Sequence, residues 1–123
     1  MAKTVLIVDD SSSLRQMVEF TLKTAGYNVV QAEHGQDALD KITGGLRPNL
    51  IVCDVNMPVL DGIGFVKGLK ALPEHEFTPV IMLTTEAGED MKLQGQMAGA
   101  KSWLVKPFRP EMLLKAVQKL ILP

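Results

Sequence analysis

A chain of 123 residues with a net charge of −1 is sized for one domain rather than two. Its 46% hydrophobic and 22% charged residues exclude a disordered chain. Thirteen Lys+Arg against 14 Asp+Glu leave no basic excess for nucleic acid or a membrane surface.

Apolar runs at 5–8, 50–53 and 80–83 are short and rich in β-branched or aliphatic residues. Strands buried on both faces of a parallel sheet read this way. In chain order, strands are expected at 4–8, 28–32, 50–53, 80–83 and 102–105. Helical spacing fills the gaps between them. Leu14, Met17, Val18, Thr21, Leu22 and Ala25 form one apolar stripe that Gly26 stops. Ala38, Leu39 and Ile42 mark a second helix, closed by Gly44 and Gly45. Phe65, Val66, Leu69 and Leu72 mark a third, ended at Pro73. A fourth over 89–98 is weaker, because Gly95 inside it costs about 1 kcal/mol relative to Ala. The last opens at Pro110, with Glu111 near its N-terminus and an apolar face of Leu113, Val117 and Leu120. Five strands alternating with five helices argue for an α/β domain, doubly wound about a parallel sheet, over residues 1–123. The runs are far shorter than the roughly 20 apolar residues that span a bilayer. No secretory signal follows Met1, and the single Cys53 suits a reducing cytosol. A cytoplasmic monomer with neither membrane nor nucleic-acid partner is expected.

Ligands of such sheets bind beyond the carboxyl ends of the strands. Asp9 and Asp10 follow the first strand and Asp54 the third. Thr84, Thr85 and Glu86 follow the fourth, and Lys106-Pro107 the fifth. Two carboxylates about 5 Å apart repel by roughly 3 kcal/mol at an effective dielectric near 20, so a cluster of three asks for a cation. Carboxylate oxygens without His or Cys suit Mg²⁺ rather than Zn²⁺. Lys106 and a Thr84 hydroxyl could hold a phosphoryl group beside the metal, and a carboxylate can itself take that group as an aspartyl-phosphate.

Four stretches, V-L-I-V-D-D at 5–10, D-V-N-M-P-V-L-D-G at 54–62, M-L-T-T-E at 82–86 and V-K-P-F at 105–108, resemble the receiver domains of two-component response regulators. With no effector domain following, the chain is most similar to the stand-alone, CheY-like chemotaxis type. That resemblance implies a flavodoxin-like fold with strand order 2-1-3-4-5. It implies that Asp54 is the phosphoacceptor and that Asp10 and Asp54 ligate Mg²⁺. Asn56 would add its backbone carbonyl, and Asp9 would act through a metal-bound water. It further implies that Lys106 and Thr84 engage the phosphoryl group, that Asn56 and Glu86 tune dephosphorylation, and that Lys106-Pro107 is a cis peptide. The switch aromatic of strand five, usually Tyr or Phe, is Trp103 here. The implied partners are a chemotaxis-type histidine kinase, a flagellar motor switch protein or other output target, and a phosphatase. The domain is then a phosphoacceptor rather than an enzyme, with its own phosphorylation and dephosphorylation chemistry.

A phosphorelay intermediate or a regulator outside motility is the alternative within signalling. A phosphohydrolase using Asp54 is disfavoured because Asn56 stands where an acid is wanted. A flavin carrier is disfavoured because Asp9 and Asp10 would repel its phosphate. Ser11-Ser12-Ser13 reads as a helix cap. His34 and His75 read as surface loop residues, and Cys53 as a small buried residue beside the site.

Overall fold

The computed structural model describes residues 2–85 and 99–121. Strands β1 (Thr4–Val8), β2 (Asn28–Ala32), β3 (Leu50–Asp54), β4 (Val80–Thr84) and β5 (Ser102–Val105) form one parallel sheet in the order β2-β1-β3-β4-β5. The strand order matches the expectation. Among the described residues four α-helices flank it, not five: α1 (Ser12–Thr24), α2 (Gly35–Thr43), α3 (Gly62–Lys70) and α4 (Pro110–Leu120). The helix expected over 89–98, like Glu86, lies outside the described residues.

Alternation along the strands builds two cores. On one face Leu6 and Val8 of β1, Ile51 and Cys53 of β3, and Val80 and Met82 of β4 pack with Ala38 and Ile42 of α2 and Phe65, Val66 and Leu69 of α3. On the other, Val5, Ile7, Leu50, Val52, Ile81 and Leu83 pack with Val18 and Leu22 of α1 and Leu113 and Val117 of α4. A fully buried side chain of this kind contributes roughly 1.5–3 kcal/mol, so the central strands anchor the sheet edge that their polar residues share.

Three of the four described helices start where a side chain satisfies a free N–H group, and α4 starts at Pro110 instead, which has no N–H to satisfy. The Leu14 N–H donates to Ser11 Oγ at 3.2 Å, as the serine run suggested. The Asp37 N–H donates to His34 Nδ1 at 3.1 Å, and the Gly64 N–H to Asp61 Oδ1 at 2.7 Å. His34 therefore caps α2 instead of idling in a loop. His75, expected at the surface, is buried. The Pro73–His75 turn folds its ring inward, with Nδ1 3.1 Å from Thr78 Oγ1. Strands β3 and β4 also run one residue past their apolar stretches. Asp54 pairs with Leu83, and Thr84 with Val105. Apolar patterning stops with hydrophobicity, whereas a strand ends when its backbone partners do.

Candidate functional site

The two-residue repeat of a strand decides which polar side chains meet. Val5 and Ile7 face α1 and α4, and Asp9 extends that series. Leu50 and Val52 face the same way and Asp54 follows them. Leu104 packs there as well, with Lys106 two residues beyond it. The structure brings the ends of these series together at the carboxyl edge of the sheet. Lys106 Nζ lies 3.0 Å from Asp9 Oδ2 and 3.2 Å from Asp54 Oδ1. Lysine is long enough to cross β4, which separates β5 from β3.

Asp9 is fully buried and Asp54 is 5% exposed, whereas Asp10 is exposed. One carboxylate oxygen from each of Asp9, Asp10 and Asp54 falls within 4.8 Å of the other two. Three carboxylates against one ammonium leave a negative excess, which a divalent cation can neutralise. All the side-chain donors are hard oxygens, the set that Mg²⁺ prefers. Burial, then the charge of Asp9, raises the Asp54 pKa above its ordinary value. Lys106 and a backbone hydrogen bond from Asn56 oppose that rise without cancelling it. Burial alone would depress Lys106, but the hydrogen bond and charge of Asp9, together with Asp54, outweigh it and raise the ammonium pKa.

The other expected residues that the structure describes are Thr84, Asn56, Trp103 and the Lys106-Pro107 peptide. Thr84 is buried at the end of β4, and its carbonyl accepts from the Lys106 N–H at 2.7 Å. The Lys106-Pro107 peptide is cis. Asn56 is exposed, two residues beyond Asp54. Trp103 is half-buried against the core on the α2 and α3 side, and its indole Nε1 has no hydrogen-bond partner among the described residues. Cys53 is buried beside Asp54, where burial pushes its thiol pKa up.

Sequence reasoning passed over Arg15. Its Nη1 donates to the Asp9 backbone carbonyl at 2.6 Å. The available signal was a lone guanidinium between Leu14 and Met17, one turn into the helix that follows the acidic pair. It also passed over Val59, in the loop after Asp54, whose φ is +70°.

With this geometry in place, comparison with known proteins is decisive about the family. The response regulator receiver domain family matches residues 5–118, and the chain belongs to that family. A Campylobacter jejuni chemotaxis protein CheY homolog is 36% identical over 118 residues, covering 95% of this chain and 91% of the relative. The structure of Vibrio cholerae chemotaxis protein CheY4 is similar with a TM-score of 0.93 and 48% identity, over 98% of this chain and 99% of that one. The receiver domain of a Pseudomonas aeruginosa sensor histidine kinase has a TM-score of 0.88 and 27% identity, over 98% of both chains. Its structure has a magnesium ion coordinated in the active-site cleft. The chain is a CheY-like receiver domain of a response regulator, the type of module that serves phosphorylation-dependent signalling.

Proposed function

We propose that this receiver domain is a phosphorylation-activated switch that takes a phosphoryl group from a histidine kinase onto Asp54 with Mg²⁺. The observation that carries the reading is the convergence of Asp9, Asp10 and Asp54 with Lys106 Nζ between Asp9 and Asp54. Asp10 and Asp54 would hold the metal through their carboxylates, Asn56 through its carbonyl, and Asp9 through a water. Mg²⁺, when bound, screens the charge of Asp54 from the incoming phosphoryl oxygens.

An Asp54 carboxylate oxygen forms the new P–O bond as the donor imidazole leaves. Lys106, already an ion-pair partner of Asp54, shifts its charge to the phosphoryl oxygens. The Thr84 hydroxyl, at the end of the neighbouring strand, hydrogen-bonds to one of them. The acyl phosphate carries a charge of about −1.5 to −2 in place of the carboxylate's −1, and its new acceptor oxygens draw Thr84 and Lys106 inward. Trp103, one strand over, then reports and transmits the change. Asn56 and Glu86 set how long the phosphorylated state lasts. Leu14, Met17, Thr85, Pro107 and Phe108 line an open groove beside Lys106, which leaves room for a donor protein to approach.

The output of this switch is binding to a flagellar motor switch protein in a chemotaxis pathway of the cytoplasm, with a phosphatase resetting it. The chemotaxis names of the similar chains support that reading. Two experiments test it. Addition of beryllofluoride with Mg²⁺ should change Trp103 fluorescence, and neither component alone should do so. No change, combined with no phosphate uptake from acetyl phosphate, removes the reading. Co-precipitation of the beryllofluoride-treated chain with the motor switch protein separates chemotaxis from a phosphorelay or non-motility role.

A further inference from the structure

Asp9 has both main-chain groups and both carboxylate oxygens tied. Its N–H donates to the Ala32 carbonyl at 3.2 Å. Its Oδ1 accepts from the Ser11 N–H at 2.8 Å, and its Oδ2 from Lys106 at 3.0 Å. Its carbonyl accepts from Arg15 Nη1 at 2.6 Å. Arg15 is itself held, because its Nε donates to Gln31 Oε1 on β2 at 2.8 Å. Gln31 Nε2 in turn donates to Glu19 Oε2 of α1 at 2.8 Å. The guanidinium is a planar fork. With one arm on β2 and another on the Asp9 carbonyl, it cannot rotate without losing a bond.

That carbonyl belongs to the peptide unit joining Asp9 to Asp10. Asp10 is exposed, so packing does not fix its carboxylate and the backbone that carries it must. We infer that Arg15 is a positioning residue of the acidic site, which by gripping the Asp9 carbonyl holds Asp10 where a divalent cation can use it. Groups that orient metal ligands from behind change affinity by roughly 10–100-fold when removed. The inference rests on the proposed Mg²⁺ role of Asp10 and Asp54. It predicts a sign that charge alone does not. As a bare positive charge, Arg15 would repel a second cation, and its loss would tighten binding. As a positioning group, its loss loosens binding.

The test is a Mg²⁺ titration of the full chain, with the metal alone and no phosphodonor, followed by calorimetry. Arg15→Met should weaken Mg²⁺ binding about tenfold. Arg15→Lys keeps the charge but lacks the fork, and should weaken it too. Gln31→Leu removes only the support on β2, so it should weaken binding by a smaller factor. In the metal-free chain, the Asp10 amide, which lies in the gripped peptide unit, should exchange faster in Arg15→Met than in the wild type. Binding by Arg15→Met as tight as the wild type, or tighter, overturns the inference. If Arg15→Met does not fold, unchanged affinity in both Arg15→Lys and Gln31→Leu overturns it equally. The wild type with Asp54→Asn as control keeps the two readings apart. A wild type that binds no Mg²⁺ removes the proposed function and this inference together. A wild type that binds, with Arg15 variants unaffected, removes the inference alone.

Discussion

Lys106 Nζ stands 3.0 Å from Asp9 Oδ2 although 97 positions separate the two residues in the chain. One lies just past β1 and the other just past β5. The pair exists because parallel strands deliver their carboxyl ends to one edge. Asp9 has no exposed surface, so the ammonium is its counterion as well as part of the site.

Removing that ammonium leaves a buried carboxylate uncompensated. Lys106→Met should lower metal-free stability by about 3 kcal/mol at neutral pH, measured by urea unfolding. Addition of Mg²⁺ should recover more stability in the variant than in the wild type, since the cations no longer compete. The pH dependence has a definite sign. The Lys106 pKa is raised above its ordinary 10.5 on folding, so its contribution is complete below that value. It is lost as pH rises through the folded value, and the gap between wild type and variant should narrow there.

Asp54 behaves in the opposite sense. Its folded pKa is raised from 3.8, so ionising it costs the folded state more than the unfolded one. The penalty is absent well below pH 3.8 and complete once pH exceeds the raised value. Asp54→Asn should therefore stabilise the metal-free chain at neutral pH. The gain should fade in acid, as guanidinium chloride unfolding at a series of pH values can follow. Mg²⁺ should raise the melting temperature of the wild type and leave the variant unmoved.

Gly62 opens α3 against the strand that carries Asp54. A Cβ there would fall on the Asp54 carbonyl oxygen and within 2.8 Å of Val55 Cα. The Gly62 N–H also donates to the Val55 carbonyl at 2.8 Å, which holds the loop close. Gly62→Ala should cost about 2–3 kcal/mol, and Mg²⁺ affinity should fall with it because the displaced backbone is that of Asp54. Calorimetric titration and thermal unfolding of the same sample check both.

Val59 carries a φ of +70° with its side chain 78% exposed. A β-branched residue gains no packing there to offset left-handed backbone strain of about 1–2 kcal/mol. Val59→Asn, which accepts that conformation, should stabilise the chain by about 1 kcal/mol, read as a higher denaturation midpoint.

The sheet and the residues at its edge were legible because they obey short-range rules. Leu14, Val18 and Leu22 show the period of a helix, and 50–53 shows the apolar density of a central strand. Apolar patterning puts Asp54 and Thr84 just beyond their strands, yet they end them, since a backbone ladder continues through polar side chains. Arg15 was missed because its partner is a main-chain carbonyl, which no side-chain motif announces. His75 was misplaced because the Pro73–His75 turn buries it by tertiary folding, not by local pattern. The left-handed Val59 follows from how the loop must return to Gly62, and valine itself gives no hint of it.

The most direct measurement is to incubate the full chain with acetyl phosphate and Mg²⁺, trap the product with borohydride, and locate the reduced residue by peptide mass spectrometry. The account predicts modification at Asp54, dependent on Mg²⁺ and absent in Asp54→Asn. Modification at another residue, or none while the folded chain binds Mg²⁺, would contradict it.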